Sequence, residues 1–323
     1  LLVLSVLPAA LATPSVAAPA RPALHFKVFA RTGIRLTDVV WTGSQFLYVE
    51  NTTNVVSSAG PAGMPVHKFA SLPKMSEETR CVVSRSGHGF QAHLIYCHTP
   101  NNKIYRLSRD GTSVSVFATL PNNSQSDGAL AFDTVGRFGY RLVAATGRSG
   151  HSNPAGGAVY TIGAKGGVRL VGNYAGPGGS DEIAIAPRGF GAVAGWALLG
   201  PDPGAHGGAI LAISPRGRTR TLATLPTGPN PIAVIARGSR FAAHAGLYLA
   251  DTNTRTIYFA RAVQLAPYRG AVIIGSELNA RFWILRPRGR RYQLVELTTD
   301  LPPATYNLEA AAYVPSSVQR ATP

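Results

Sequence analysis

Acidic residues are in short supply in this sequence: 15 Asp and Glu stand against 31 Lys and Arg in 323 residues, for a formal net charge of +16. Charged residues make up only 14% of the chain, where an ordinary soluble domain has roughly 25%. The positive balance therefore reflects missing acids more than added bases. Lysine is scarce as well, with five residues, so arginine carries the basic charge and is scattered without a long cationic run. That distribution, with no zinc-finger, RNP or homeodomain pattern, speaks against a specific nucleic-acid reader. Only two Met, and no long stretch rich in Ala, Glu, Lys and Leu, argue against a helical bundle or coiled coil. No G-x-S-x-G elbow, H-E-x-x-H pair or Walker loop is present to announce an enzyme class.

An apolar content of 45% is that of a folded protein and excludes a disordered polybasic tail. The 35 Gly and 24 Pro follow no collagen period. These features leave a loop-rich, mostly β protein with one large domain. The first twenty residues, LLVLSVLPAALATPSVAAPA, are uncharged but broken by Pro8, Pro14 and Pro19, which is too short and interrupted for a membrane span. They read as the apolar part of a secretory signal over residues 1–18, truncated at its start, with cleavage after Ala17 or Ala18. The expectation is a secreted monomer, extracellular or periplasmic, with no membrane span in the mature protein.

Export gives meaning to the two cysteines. Cys81 (ETRCVVS) and Cys97 (HLIYCHT) lie on strand-like segments equidistant from the turn signal Gly87-His88-Gly89. Residues equidistant from a hairpin turn face each other, so a Cys81–Cys97 cross-strand disulfide is expected in an oxidising compartment.

Stacking the sequence on itself reveals a repeat. NNKIYRLSRDGTSVSVFATLP (101–121), GGAVYTIGAKGGVRLVGNYAG (156–176), GGAILAISPRGRTRTLATLP (207–226) and NARFWILRPRGRRYQLVELTTDLP (279–302) share one plan: strand, Gly-containing turn, strand. Short apolar segments follow, DGALAFD (127–133), DEIAIAP (181–187) and EAAAYVP (309–315), and further strands such as GLYLAD (246–251). Groups of four short strands are the unit of a β-propeller blade. Innermost strands begin at Asp38, Glu78, Asp127, Asp181, Asn230 and Glu309. The expected fold is all-β: a six-bladed β-propeller of four-stranded antiparallel blades over residues 25–315, followed by a tail at 316–323. Strands at 271–277, 281–287 and 291–297 are expected to form the outer part of the sixth blade. The C-terminal segment would close the ring as its innermost strand, with FKVFAR (26–31) pairing nearby.

In a propeller the entries to innermost strands and the ends of second strands lie on one face. That face collects Asp38, Glu78, Asp127, Asp181, Glu182 and Glu309, with Asn230 in the matching slot, and Glu50, Asp251 and Glu277 at second-strand ends: nine of the 15 acids. The opposite turns are basic: SRSG (84–87), SRDG (108–111), APRG (186–189), SPRGRTR (214–220), ARGSR (236–240) and RPRGRR (286–291). The basic face is expected to suit an anionic cell-envelope polymer. Crowded carboxylates raise one another's pKa unless a cation compensates. The acidic mouth is therefore expected to hold a small polar ligand or a divalent cation, Ca2+ foremost. Glu78, Asp127, Asp181 and Glu309 are its candidate ligand-binding residues, joined by His206 on a Gly/Pro-rich loop. Each Asp or Asn taken singly suits capping the loop backbone better than holding a ligand.

The modules FATLP, DGALAFD, LVAATG and GAVYTI resemble six-bladed propellers of the gluconolactonase and NHL-repeat type over most of residues 25–315. The resemblance implies a divalent metal at the mouth, held by Asp38 (LTDVVW), Asn230 (PNPIAVIA) and Asp251 (GLYLADT). Pro231 stands where the family has Gly, and Asp38 where it has Glu. Two functions follow: a non-catalytic binding propeller, or a metal-dependent hydrolase of sugar lactones or related esters, with His151 or Glu182 moving the proton.

Overall fold

The computed structural model describes residues 21–74, 78–121, 129–147, 156–176, 179–201, 207–237, 244–301 and 307–315. Six antiparallel four-stranded sheets stand around one axis. Blade 1 comprises Leu36–Trp41, Phe46–Glu50, Val55–Ala59 and His67–Ser71, from the axis outwards. Blade 2 comprises Arg80–Val83, Ile95–Thr99, Lys103–Leu107 and Val114–Thr119; blade 3, Ala129–Phe132, Leu142–Gly147, Gly157–Ile162 and Val168–Tyr174. Blade 4 follows with Ser180–Ile185, Ala197–Pro201, Gly208–Ile213 and Thr219–Leu225.

Strand composition follows distance from the axis. Second strands are covered on both faces and read as unbroken apolar runs, as in LVAATG (Leu142–Gly147), buried throughout. Outer strands meet solvent and are mixed, as in VRLVGNY (Val168–Tyr174). Each pair of neighbouring blades buries its own apolar cluster, so the core is a set of seams between sheets. The Cys81–Cys97 disulfide forms as expected: the two residues are directly opposite in the ladder, with Cα atoms 4.1 Å apart. It lies in the seam between blades 1 and 2, beside Leu47, Val49 and Leu107.

Closure differs from expectation in one respect. The C-terminal strand Leu308–Val314 is indeed the innermost strand of blade 6, between the inner strands of blades 5 and 1. Its partners, however, are Gly246–Asp251 and Thr256–Arg261, with Lys27–Arg31 outermost. The strands Val272–Ser276, Phe282–Arg288 and Arg291–Thr299 belong to blade 5, behind Pro229–Val234, and the short strand Ala23–Leu24 adds to the outer edge. The chain thus leaves blade 5 after one strand, builds the middle of blade 6, and returns through the 3-10 helix Ala262–Tyr268. The sequence repeat assumed that neighbours in the chain pair. Val272–Ser276 and Gly246–Asp251 are both wholly buried apolar strands, so strand pattern alone cannot assign them to a blade.

A second repeat lies at the rim. The outermost strands carry a β-bulge at Phe29, Phe69, Phe117, Val171 and Leu222, one extra residue against the third strand. In four seams a glycine from the next blade's outer turn packs against the bulged residue: Gly63 on Phe29, Gly111 on Phe69, Gly166 on Phe117 and Gly217 on Val171. Gly111 shows why glycine is needed, since its φ is +73° and a Cβ there would overlap the Phe69 carbonyl oxygen.

Candidate ligand site at the acidic axial mouth

The mouth is shaped by a second set of bulges, at the start of the innermost strands. An extra residue lies between Leu36 and Asp38, between Ser180 and Glu182, between Pro229 and Ile232, and opposite the Ala250–Asp251 step at Glu309. A bulge interrupts the in-out alternation and re-aims side chains. Here it lets polar residues crowd the axis at the head of otherwise apolar strands.

Arg80, at the head of the inner strand of blade 2, reaches into this crowd and is almost fully buried. Its Nη2 lies 2.5 Å from Glu78 Oε2 and 3.5 Å from Glu309 Oε2, and its Nε lies 3.7 Å from Glu182 Oε1. Nε also donates to the Asp181 carbonyl at 3.3 Å. One guanidinium therefore ties blades 2, 4 and 6 together across the axis. Arg80 is not among the sequence candidates, which are acids, histidines and one asparagine. The available signal was a lone arginine at the head of an innermost strand, where burial demands a counter-charge.

One guanidinium cannot balance its surroundings. Burial pushes the Asp38 carboxyl up to about 6, against the pull of Arg80 and of the Cys81 and Val39 N–H groups. Burial pushes Glu182 up to about 8, with Asp38 and Glu78 adding to the rise and Arg80 opposing it. Glu309 is raised well above the usual carboxylate range by burial and by the nearby Glu78 and Glu277. Near neutral pH the cluster is partly protonated.

The candidate residues separate into groups. Glu78, Glu182 and Glu309 converge on Arg80, and Asp181 contributes its carbonyl. Asp38 accepts from Val39 N (2.8 Å) and Cys81 N (2.6 Å), which ties blade 1 to blade 2. Asp251 sits in blade 6 and accepts from Asn253 N, Asn307 N and the Thr254 hydroxyl, organising the turn after its strand. Asp38 and Asp251 thus act as caps. Asn230 is buried, and its Oδ1 has no partner among the described residues. Asp127, His151 and His206 lie outside the described residues. Buried His98, opposite Arg80 in the ladder, donates Nδ1–H to the Ala129 carbonyl at 3.3 Å. Burial lowers its pKa to about 4, so the ring is neutral. Its Nε2, Arg80 Nη1, Thr79 Oγ1, Thr146 Oγ1 and Ser276 Oγ are also buried without hydrogen-bond partners among the described residues, all towards this end of the first and second strands. Among the described residues, no group of three acidic, His or Cys side chains has the arrangement of a metal site.

The opposite face is basic, as expected, and its arginines stitch blades together through carbonyls. Arg188 donates to Val135 O at 3.2 Å, Arg237 to Gly189 O at 3.4 Å and Arg220 to Arg290 O at 3.5 Å.

The raised carboxyls give stability an unusual pH dependence. A carboxyl whose folded pKa exceeds its unfolded value stabilises the fold at low pH and loses that contribution as pH rises through the folded pKa. For Asp38 and Glu182 the loss runs through about 6 and about 8. His98 acts oppositely, losing its contribution as pH falls from 6.5 towards about 4. Above pH 6.5 the carboxyls act alone, so melting temperature should fall between pH 6.5 and 9. Glu182→Gln should flatten that slope; a wild-type melting temperature that rises over the interval would contradict it.

No family model matches the sequence, and no curated protein matches it. Among solved structures, the chain is similar in fold to a chain of the nidogen/laminin complex, with a TM-score of 0.57 at 9% identity, covering 87% of this chain and 86% of that one. It is also similar to the PQQ-bound aldose sugar dehydrogenase of Streptomyces coelicolor, with a TM-score of 0.54 at 13% identity over 87% and 90% of the two chains. These likenesses show a shared propeller fold.

Proposed function

We propose that this propeller is a non-catalytic binding protein whose acidic axial mouth takes a small polar ligand or a divalent cation. The observation that carries this reading is the imbalance around Arg80: Glu78, Glu182, Glu309 and Asp38 share one guanidinium. Protons now supply the missing positive charge, and a ligand bringing donors or cationic charge would replace them. The metal set Asp38, Asn230 and Asp251 fits poorly, because both aspartates are engaged by backbone N–H groups. Asn230, with an unpartnered oxygen, is the member best suited to a ligand. Secretion to an extracellular or periplasmic compartment belongs to the same proposal, and the buried disulfide is compatible with it.

Calcium titration by calorimetry at pH 6 and pH 8.5 tests the reading. Binding should release protons and tighten as pH rises, and Glu182→Gln should weaken it by about tenfold, the loss of one charged contact. Calcium affinity indifferent to both pH and Glu182→Gln would remove the cation from the proposal, and a screen of amines and polyols would then decide whether the mouth binds anything. The gluconolactonase-like alternative draws support from Glu182, whose carboxyl keeps its proton near neutral pH as a general acid would. Turnover of a sugar lactone abolished by Glu182→Gln would favour that alternative over simple binding.

A further inference from the structure

The blade 3–blade 4 seam departs from its counterparts on the basic face. Where the blade 1–2 and blade 2–3 seams are filled by the bulged residues Phe69 and Phe117, this one has Val171, followed by Gly172 in place of Ala70 and Ala118. Beside it opens a cleft of about 570 Å³, within the range of small-molecule sites. Arg137, Arg141, Arg169 and Arg216 line it together with Phe138 and Val171, and no acidic residue does. All four arginines are exposed, and among the described residues none has an acidic partner.

Two features make this a built site. Asp133, the nearest acid in the chain, has its carboxylate turned into its own loop. It accepts N–H groups from Val135, Gly136, Phe138 and Tyr140 at 2.7–3.0 Å, and so folds the segment that presents Arg137 and Arg141. The next seam supplies an internal comparison. Arg220 occupies in blade 4 the place of Arg169 in blade 3, second in the outermost strand. Arg220 lies over the Tyr292 ring, 5.5 Å from its centroid, and donates to the Arg290 carbonyl. Among the described residues no ring lies under Arg169, and the cleft opens beside it.

We propose that this cleft binds a ligand bearing adjacent phosphate groups. Guanidinium groups pair with phosphate oxygens two at a time, and four of them around one space call for several negative charges on neighbouring centres. A single carboxylate or sulfate leaves most of that charge unpaired. The site is on the other face from the axial mouth and stands or falls independently of the ligand proposed there.

The test titrates the folded protein with tripolyphosphate, and with sulfate and citrate at matched ionic strength. Tripolyphosphate should bind one site per chain, far more tightly than the other two. The double variant Arg169→Ala/Arg216→Ala, which changes exposed side chains only, should weaken it by about tenfold or more. Val171→Phe keeps every charge and should weaken it as well, by filling the seam as Phe69 and Phe117 fill theirs. Long-chain polyphosphate separates the sources: affinity that grows with chain length assigns a polymer, and unchanged affinity assigns a discrete phosphate compound. Tripolyphosphate binding that survives the double arginine variant, or that sulfate and citrate match, would overturn the proposal. If Val171→Phe does not fold, the arginine variant decides.

Discussion

Arg80→Met should destabilise the protein by about 3–5 kcal/mol at pH 8, the usual cost of removing one partner from a buried ionic cluster. That is a large fraction of the roughly 5–15 kcal/mol that holds a domain together. The guanidinium is the positive charge that Glu78, Glu182 and Glu309 all face, and its loss would leave them buried together without compensation. Their remaining recourse is to bind protons, so the penalty should shrink at pH 5. Urea denaturation of wild type and Arg80→Met at both pH values measures this. Equal stability of the two proteins at pH 8 would show that Arg80 does not hold the cluster. Arg80→Lys should recover part of the loss, because a single ammonium keeps the charge but cannot face three blades.

Loss of the disulfide should be the other large effect. The bond closes a loop of 16 residues, for which chain-entropy arguments give about 3 kcal/mol. Cys81 follows Arg80 directly, and its N–H is held by Asp38. The crosslink therefore also fixes the strand that presents the guanidinium. Cys81→Ala/Cys97→Ala should lower the urea midpoint markedly, and combining it with Arg80→Met should give a change different from the sum of the two. Strict additivity would separate the disulfide from the axial cluster, and an unchanged midpoint would deny it a structural role.

The repeat, the six-fold count, the closing C-terminal strand and the facing cysteines were legible because each leaves a local mark: a turn signal, an apolar run, or a symmetric spacing. The exchange of strands between blades 5 and 6 leaves none, since Gly246–Asp251 and Val272–Ser276 have the same buried apolar character. At the mouth, gathering acids by repeat position correctly brought Glu78, Glu182 and Glu309 together. It could not distinguish a carboxylate facing the axis from one turned to the backbone, as Asp38 and Asp251 are. That distinction depends on one-residue bulges, which shift side chains without changing composition. The cleft between blades 3 and 4 was written in the sequence as LVGNY where other outer strands read KFAS and VFAT. Its meaning emerges only once those strands are known to face the same kind of seam.

The exchanged strands also set the order in which the molecule can be completed. Blades 1 to 4 are each drawn from one continuous stretch of chain and can form as they are made. Blade 6 takes its outermost strand from Lys27–Arg31 and its innermost from Leu308–Val314, with its middle supplied by a detour out of blade 5. A chain that folds from its N-terminus would complete blade 5 when Arg291–Thr299 docks, yet carry an open ring until Leu308–Val314 slots in between blades 5 and 1.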